Sequence, residues 1–135
     1  MTIHDPLLSH VRVSDAMHTG ILATDPTTPL RVVARLMADQ RVHAVAVADP
    51  DHVRRPLGFV TVAEVAAAAA QGIDETAGQA AATEVVSVSA SEQLDTAARM
   101  MVEHSVGHLI VVDAATGHPC GILSALDVAA AYAGS

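Results

Sequence analysis

The sequence predicts an α/β (α+β) fold built from two tandem β-α-β-β-α units. One observation is an internal repeat, in which four segments recur in the same order at an offset of about 64 residues. The other is an alternation of short apolar runs with stretches whose apolar residues are spaced as on one face of a helix. Together they indicate that each copy contains three strands and two helices.

Each copy is predicted to begin with a strand and a helix. The strands are the short apolar stretches Ile21–Thr24 and Val85–Val88. Thr27 and Ser91 are the expected N-caps of the helices, and Pro29 is expected in the first helical turn. The helical face of each copy has apolar residues at positions i, i+4 and i+7, which are Leu30, Ala34 and Met37 in the first and Leu94, Ala98 and Met101 in the second.

Two further strands and a second helix complete each copy. Val45–Ala48 and Leu109–Val112 are nearly continuous apolar runs, which predicts strands that are buried on both faces. A turn is expected over Asp49–Pro56, where charged residues and prolines cluster. The last strand and the second helix of each copy follow without a break, and they are Gly58–Val60 with Val62–Ala70, then Gly121–Leu123 with Ala125–Ala133.

These elements divide the chain into four parts. An N-terminal extension over 1–12, expected to be flexible or loosely docked, is followed by a first repeat over 13–70. A linker over 71–82, expected to be partly helical, leads to a second repeat over 83–135.

Composition excludes several classes of function. The net charge is 7 − 15 = −8 and only two side chains are aromatic, so we expect no nucleic-acid partner. The longest uncharged apolar run, Val65–Ala70, is far short of the ~20 residues that cross a bilayer, and no signal peptide is recognised, so no membrane association is expected. The single cysteine, Cys120, excludes an intramolecular disulfide and predicts a cytoplasmic location.

Several motifs occur in a characteristic order. Val13–Met17 precedes the first strand, a helix carries Ala and Met at fixed spacing, a strand ends in Val111-Val112-Asp113, and Gly121–Asp127 has the pattern G-h-h-S/T-x-x-D. In these features the chain, over about residues 13–133, resembles the CBS domain family, specifically the tandem pair called a Bateman module. The resemblance implies two units related by a pseudo-twofold axis, with two clefts between them and no attached enzyme.

Members of this family commonly bind AMP, ADP, ATP or S-adenosylmethionine and pass the bound state to a partner. The resemblance therefore implies a regulatory sensor of an adenosine-containing nucleotide, acting through an unidentified protein partner or a homodimer, with no required cofactor. Seven arginines and no lysine favour AMP or ADP over ATP. The alternative is a ligand-free interaction or dimerisation module. An enzyme is not expected, because the sequence has no nucleophile–base pair, metal cluster or phosphate-loop motif.

The resemblance places the better ligand site at Ser124 and Asp127. A hydroxyl at a helix N-terminus can donate to a phosphate, and a carboxylate can accept both hydroxyls of a ribose. Ser-x-x-Asp is also a capping box, which serves any helix, so both roles remain open. The resemblance implies that the same cleft is completed by Gly121, Ile122, Gly20, Ile21, Leu22, Val42, His43, Ala44 and His108.

A second, weaker cleft is expected at Thr61 and Glu64, with Gly107 nearby. Glu stands where the family prefers Asp; it is one methylene longer and would crowd a ribose that an Asp would hold. It is also the better capping residue. The sequence therefore predicts one good site per chain, with the Glu64 cleft empty or altered.

Eight histidines raise a metal alternative, but their spacing does not support it. His104 and His108 are four residues apart, yet the helix is expected to end between them, and no thiolate pair is available. His43 and His108 enter matching strands and are expected to face the central cleft, where they can bond to phosphate and respond to pH. The remaining six histidines are expected at the surface or at strand edges, and they are His4, His10, His18, His52, His104 and His118.

Overall fold

A computed structural model describes residues 8–49 and 56–134. In chain order its elements are α1 Val13–Ala16, β1 His18–Thr19, β2 Ala23–Thr24, α2 Leu30–Gln40, β3 Ala44–Val47, β4 Gly58–Thr61, α3 Val62–Gln71, α4 Ala77–Ala80, β5 Ser87–Ser89, α5 Leu94–His104, β6 His108–Val112, β7 Pro119–Ser124 and α6 Ala125–Gly134. The predicted order β-α-β-β-α is confirmed twice, as β2-α2-β3-β4-α3 and as β5-α5-β6-β7-α6. The mixed α+β fold is therefore confirmed.

The first repeat forms most of a compact unit over residues 21–85, called unit 2 here. Its sheet has the order β2-β3-β4, with β2 parallel and β4 antiparallel to the central β3. Both β3 and β4 are buried along their whole length, which confirms the prediction for the apolar run at Val45–Ala48. Val45, Val47 and Val60 pack with residues of α2 to form the core of this unit.

The second repeat belongs to the other compact unit, unit 1, which contains the chain up to Gly20 and from Val86 onward. Its sheet has the order β1-β7-β6-β5, and β1 pairs antiparallel with β7. Leu109 and Leu123 pack with Leu94 of α5 in the core. Leu8 is buried in the same core, so the described end of the N-terminal extension is packed in place rather than loosely docked.

The short helices α1 and α4 each precede the β-α-β-β-α elements of one repeat but pack with those of the other. α1 and β1 lie within the predicted first repeat over 13–70, yet they belong to unit 1, where α1 contacts α5 and α6. α4 supplies the helical part expected of the segment over 71–82, and it contacts α2 and α3 of unit 2. The bridge of Arg12 to Gln93 in unit 1 corresponds to the bridge of Thr76 to Pro29 in unit 2, so the repeat extends into these segments.

The predicted N-caps of the first helices are wrong. The helices begin after Pro29 and Gln93, neither of which makes a side-chain capping bond, and Pro29 lies at the N-cap instead of in the first turn. The hydroxyls of Thr27 and Ser91 bond to side chains two residues earlier and close the preceding turns. No capping side chain is needed for the first amide of either helix, because each donates to a backbone carbonyl elsewhere in its own unit at 2.8 Å.

Three other expectations concern the turn over 49–56, the histidines His4 and His52, and membrane-spanning helices. The turn over 49–56 falls largely on residues 50–55, which lie outside the described residues, as do His4 and His52. The helices in the described parts of the chain are all too short or too polar to span a bilayer.

Candidate ligand-binding site

In unit 1 the junction of β7 and α6 places Ser124 and Asp127 against each other. The amide of Ser124 donates to Oδ2 of Asp127 at 2.8 Å, and the amide of Asp127 donates to Oγ of Ser124 at 3.2 Å. This reciprocal pair is a capping box, and it fixes one oxygen of the carboxylate at the start of the helix. Ser124 is buried, and the Asp127 side chain is 12% exposed.

The other oxygen of this carboxylate contacts a histidine. Nε2 of His18, on β1, lies 3.0 Å from Oδ1 of Asp127. The imidazole is 73% exposed, so the pair consists of an anchored carboxylate and a solvent-facing partner. His18 agrees with its expected place at a strand edge, but its contact with Asp127 was not predicted.

Strand register explains how His18 reaches this position. His18 is opposite Ile122 in the β1–β7 pair, and His108 is opposite Ser124 in the β6–β7 pair. Opposed residues share a face of an antiparallel sheet, as do alternate residues of a strand. The two histidines therefore lie on the same face as Ile122 and Ser124, and Leu123 lies on the opposite face, in the core of the unit.

Two glycines shape the edge of this face. A Cβ at Gly121 would lie 2.6 Å from the His18 carbonyl oxygen and 2.9 Å from the sulfur of Met17, so only glycine allows β1 this close to β7. Gly20 has φ +90° and donates its amide to the Cys120 carbonyl at 2.7 Å. Both glycines of the predicted site therefore hold β1, and with it His18, beside β7.

The amino end of α6 has limited capacity for an anion. The amide of Ala125 donates to the Gly107 carbonyl at 2.8 Å, and the amide of Asp127 is taken by Ser124. A helix N-terminus binds phosphate through amides that have no other partner. Two of the first three amides of α6 are already engaged, which limits the number of phosphate oxygens that this helix can bind.

The matching junction in unit 2 is built differently. Thr61 donates both its amide and its hydroxyl to Oε1 of Glu64, each at 2.7 Å, and accepts from the amide of Ala63 at 3.2 Å. Ala44 is opposite Thr61 and Ala82 is opposite Phe59. Where unit 1 has His108 and His18, unit 2 therefore has two alanines.

The remaining predicted residues of unit 2 lie in two places. Ile21 and Leu22 precede β2, and the Leu22 carbonyl accepts from the amide of Ala46 at 2.8 Å. Val42 and His43 lie between α2 and β3, where they contribute to a groove. This groove of about 420 Å³ is lined by Ala34, Met37, Ala38, Arg41, Val42, His43, Val62, Val65 and Ala66.

One missed residue had a detectable signal in the sequence. The repeat continues upstream of Ile21, because the same offset of 64 places His18 on Ala82 and Asp15 on Gln79. The side chains of Asp15 and Gln79 accept from the N-cap amides of Arg12 and Thr76, at the starts of α1 and α4 respectively. Extending the alignment upstream would have marked His18 as a position where the two copies differ in chemistry.

In unit 1, two groups with shifted pKa values lie at the turn that joins β6 to β7. Burial raises the pKa of the Cys120 thiol, and the Asp113 carboxylate raises it further, so the neutral thiol is favoured. The pKa of Asp113 is lowered, mainly by the amide of Thr116 and then by that of Ala115. The neutral thiol of Cys120 is therefore suited to packing. The ionised carboxylate of Asp113 stabilises the turn that follows β6.

A metal centre has no support in the described chain. Across residues 8–49 and 56–134, no three side chains of His, Cys, Asp or Glu are grouped so that they could hold a metal ion. α5 ends at His104 and β6 begins at His108, which confirms that the helix ends between these two residues.

The family is shown by a profile match that covers most of the chain. The CBS domain profile matches twice, at residues 13–71 and 77–134. The chain belongs to the CBS domain family. CBS pair proteins are generally regulatory, and solved structures with the same fold cover nearly all of this chain.

Three solved structures illustrate the likeness. The CBS domain protein PAE2072 from Pyrobaculum aerophilum, complexed with AMP, is 27% identical, with a TM-score of 0.75 over 87% of this chain and 89% of that one. An uncharacterized conserved protein from Pyrococcus horikoshii is 20% identical, with a TM-score of 0.81 over 92% and 93%. The CBS domain pair of protein MJ0100, in complex with 5′-methylthioadenosine and S-adenosyl-L-methionine, is 18% identical, with a TM-score of 0.80 over 92% and 97%.

A curated protein also matches. It is a homoserine O-acetyltransferase from Methanosphaerula palustris, 31% identical over 117 residues. The match covers 87% of this chain but only 23% of that protein.

Proposed function

We propose that this CBS pair is a regulatory module that senses an adenosine-containing nucleotide, AMP or ADP rather than ATP, without chemical turnover. The observation that carries the proposal is the Asp127 carboxylate, largely buried beside Ser124 at the start of α6, in the motif that resembles the family's nucleotide signature. A relative that is 27% identical is complexed with AMP. S-adenosylmethionine is the next ligand to test, and no further cofactor is required.

The preference for few phosphates follows from charge. The chain carries a net charge of −8, and two of the first three amides of α6 are engaged within the protein. A triphosphate needs several cations or unpaired amides to offset its charge. One phosphate, or none, suits this site better.

The signal is proposed to pass to an unidentified protein partner or through a homodimer, in the cytoplasm, with neither nucleic acid nor membrane involved. The match to a homoserine O-acetyltransferase does not extend the proposal to acetyl transfer, because it covers 23% of that protein. An attached catalytic activity is not part of the proposal.

Thermal melting with a ligand panel tests this function. AMP, ADP, ATP, S-adenosylmethionine and NAD are compared on the wild type, on Asp127→Ala and on Glu64→Ala, a matched variant that also removes a capping carboxylate. A ligand at 100 times its Kd stabilises the folded state by about 2.7 kcal/mol, which is a shift of several degrees. We expect AMP to raise the melting temperature of the wild type and of Glu64→Ala. We expect no such rise for Asp127→Ala. The reverse pattern would move the site to unit 2.

A second candidate, a self-associating module without ligand, is favoured by one observation. Two large hydrophobic residues of α6 are exposed, Leu126 by 73% and Tyr132 by 62%. If this surface joins two copies, Leu126→Gln weakens dimerisation in analytical ultracentrifugation. Val102→Gln, at an 80% exposed position on α5, serves as the matched control. A dimer that persists unchanged in Leu126→Gln, with no ligand shift in the panel, would count against both candidates.

A further inference from the structure

Both oxygens of the Asp127 carboxylate are occupied within unit 1. We propose that His18 is a latch on Asp127, competing with the ribose hydroxyls of the ligand, so that protonation of the imidazole weakens nucleoside binding. The proposal rests on the proposed function and adds regulation by pH to the same site. His18 is thereby a positioning residue, which controls whether Asp127 is open to ligand.

The geometry of the carboxylate makes the contact competitive. Oδ2 is fixed by the Ser124 amide at 2.8 Å, as part of the capping box that starts α6. Oδ1 is not part of the capping box, and Nε2 of His18 lies 3.0 Å from it. A carboxylate holds a ribose through two acceptor positions facing the two hydroxyls. The imidazole takes one of the positions that this arrangement needs.

The two partners differ in how easily they move. The Asp127 side chain is 12% exposed and anchored by its helix, whereas the His18 side chain is 73% exposed. An imidazole at such a position can rotate into water when a ligand arrives. A solvent-exposed ion pair contributes little, so its release is expected to change affinity by about two- to fivefold.

Protonation sets the strength of the latch. A neutral imidazole offers one ordinary hydrogen bond, while an imidazolium adds its charge to the contact with the carboxylate. Imidazole is the side chain that ordinarily titrates between pH 5 and 8. Ligand affinity is therefore expected to rise as the pH rises through this range.

Other titratable or charged groups lie on the elements packed around the pair, and they are Asp15 on α1, Asp95, Arg99, Glu103 and His104 on α5, His108 on β6, Cys120 on β7 and Tyr132 on α6. Asp15 accepts from the Arg12 amide at 3.0 Å, and Asp95 lies 3.6 Å from Arg99. The raised pKa of Cys120 keeps the thiol neutral. His108 lies on the same face as His18, so it must be tested separately.

Unit 2 provides the contrast within the same chain. Ala82 takes the position of His18 at the repeat offset of 64, opposite Phe59. No imidazole can reach Glu64 from that position, because alanine has none. The position of unit 2 that matches His18 therefore carries no such latch.

The test is calorimetric titration of the full chain with adenosine at pH 5.5, 6.5 and 8.0. Adenosine is used because the phosphate of AMP itself titrates near pH 6. For the wild type we expect affinity to rise about two- to fivefold from pH 5.5 to pH 8.0. His18→Ala and His18→Gln are expected to lose this slope, with His18→Ala binding more tightly than the wild type at pH 5.5. His104→Ala, which removes an exposed imidazole on α5, keeps the wild-type slope.

Three outcomes would overturn the latch while leaving the proposed function intact. They are weaker adenosine binding by His18→Ala at every pH, a slope that persists in both His18 variants, and a slope that is lost in His108→Ala instead. If no variant binds adenosine, and the ligand panel gives no thermal shift, the proposed function fails and the latch with it.

Discussion

The close approach of β1 to β7 predicts that Gly121→Ala is costly. The new Cβ would lie 2.6 Å from the His18 carbonyl oxygen, whereas carbon–oxygen contacts normally begin near about 3.3 Å. β1 must therefore retreat by about 0.7 Å, which stretches the bond of 2.7 Å from the Gly20 amide to the Cys120 carbonyl beyond the usual range for such bonds. Overpacking costs about 1–3 kcal/mol and the weakened hydrogen bond up to about 1 kcal/mol, so we expect a loss of about 1–4 kcal/mol.

Urea unfolding followed by circular dichroism measures this loss, because the chain has no tryptophan for fluorescence. The midpoint should fall while the slope of free energy against urea stays the same. Gly107→Ala is the matched control, since a Cβ there meets no atom within 4 Å, and its effect should stay within about 0.5 kcal/mol. A Gly121→Ala variant as stable as the wild type, or an equal loss in Gly107→Ala, would refute the packing argument.

Three further predictions concern stability. Ser105 ends α5 with φ +54°, where glycine is unstrained, so Ser105→Gly should raise the free energy of unfolding by about 0.5–1 kcal/mol in urea, and a decrease would contradict this reasoning. Leu94→Ala, at a fully buried position, should lower it by about 2–5 kcal/mol, whereas Val102→Ala on the exposed face of the same helix should change it by less than about 0.5 kcal/mol. The lowered pKa of Asp113 means that its stabilisation is present above the ordinary value of 3.8 and is lost as the pH falls through the lower folded value. The melting temperature of the wild type should therefore fall more steeply below pH 4 than that of Asp113→Asn, and parallel curves would show that this carboxylate contributes nothing.

Much of the fold could be predicted because its signals are local. The spacing of Leu94, Ala98 and Met101 marks a helical face by itself, and the apolar run at Leu109–Val112 marks a buried strand. The capping box at Ser124 and Asp127 is likewise readable over four residues. Such features depend on neighbours within one or two turns of chain.

The wrongly predicted N-caps are at helices whose first amide bonds to a backbone carbonyl distant in sequence, instead of to a nearby capping side chain. Thr27 and Ser91 are sound N-cap residues, yet the helices begin three residues after each of them. The amide of Leu94 instead donates to the carbonyl of Val11, from the far end of the chain. A capping preference of about 1 kcal/mol is readily overridden by such a bond within a packed unit.

The sequence by itself determined the family, the order of the elements in each repeat and the position of the Asp127 carboxylate, because repeat periodicity and capping motifs are written in neighbouring residues. Only the tertiary structure decided that α1 and β1 join the second repeat, and that His18 contacts Asp127. The physical reason is that strand pairing, here of β1 with β7, joins the two ends of the chain through backbone hydrogen bonds. The residues adjacent in sequence to His18 or to Asp127 do not indicate these bonds.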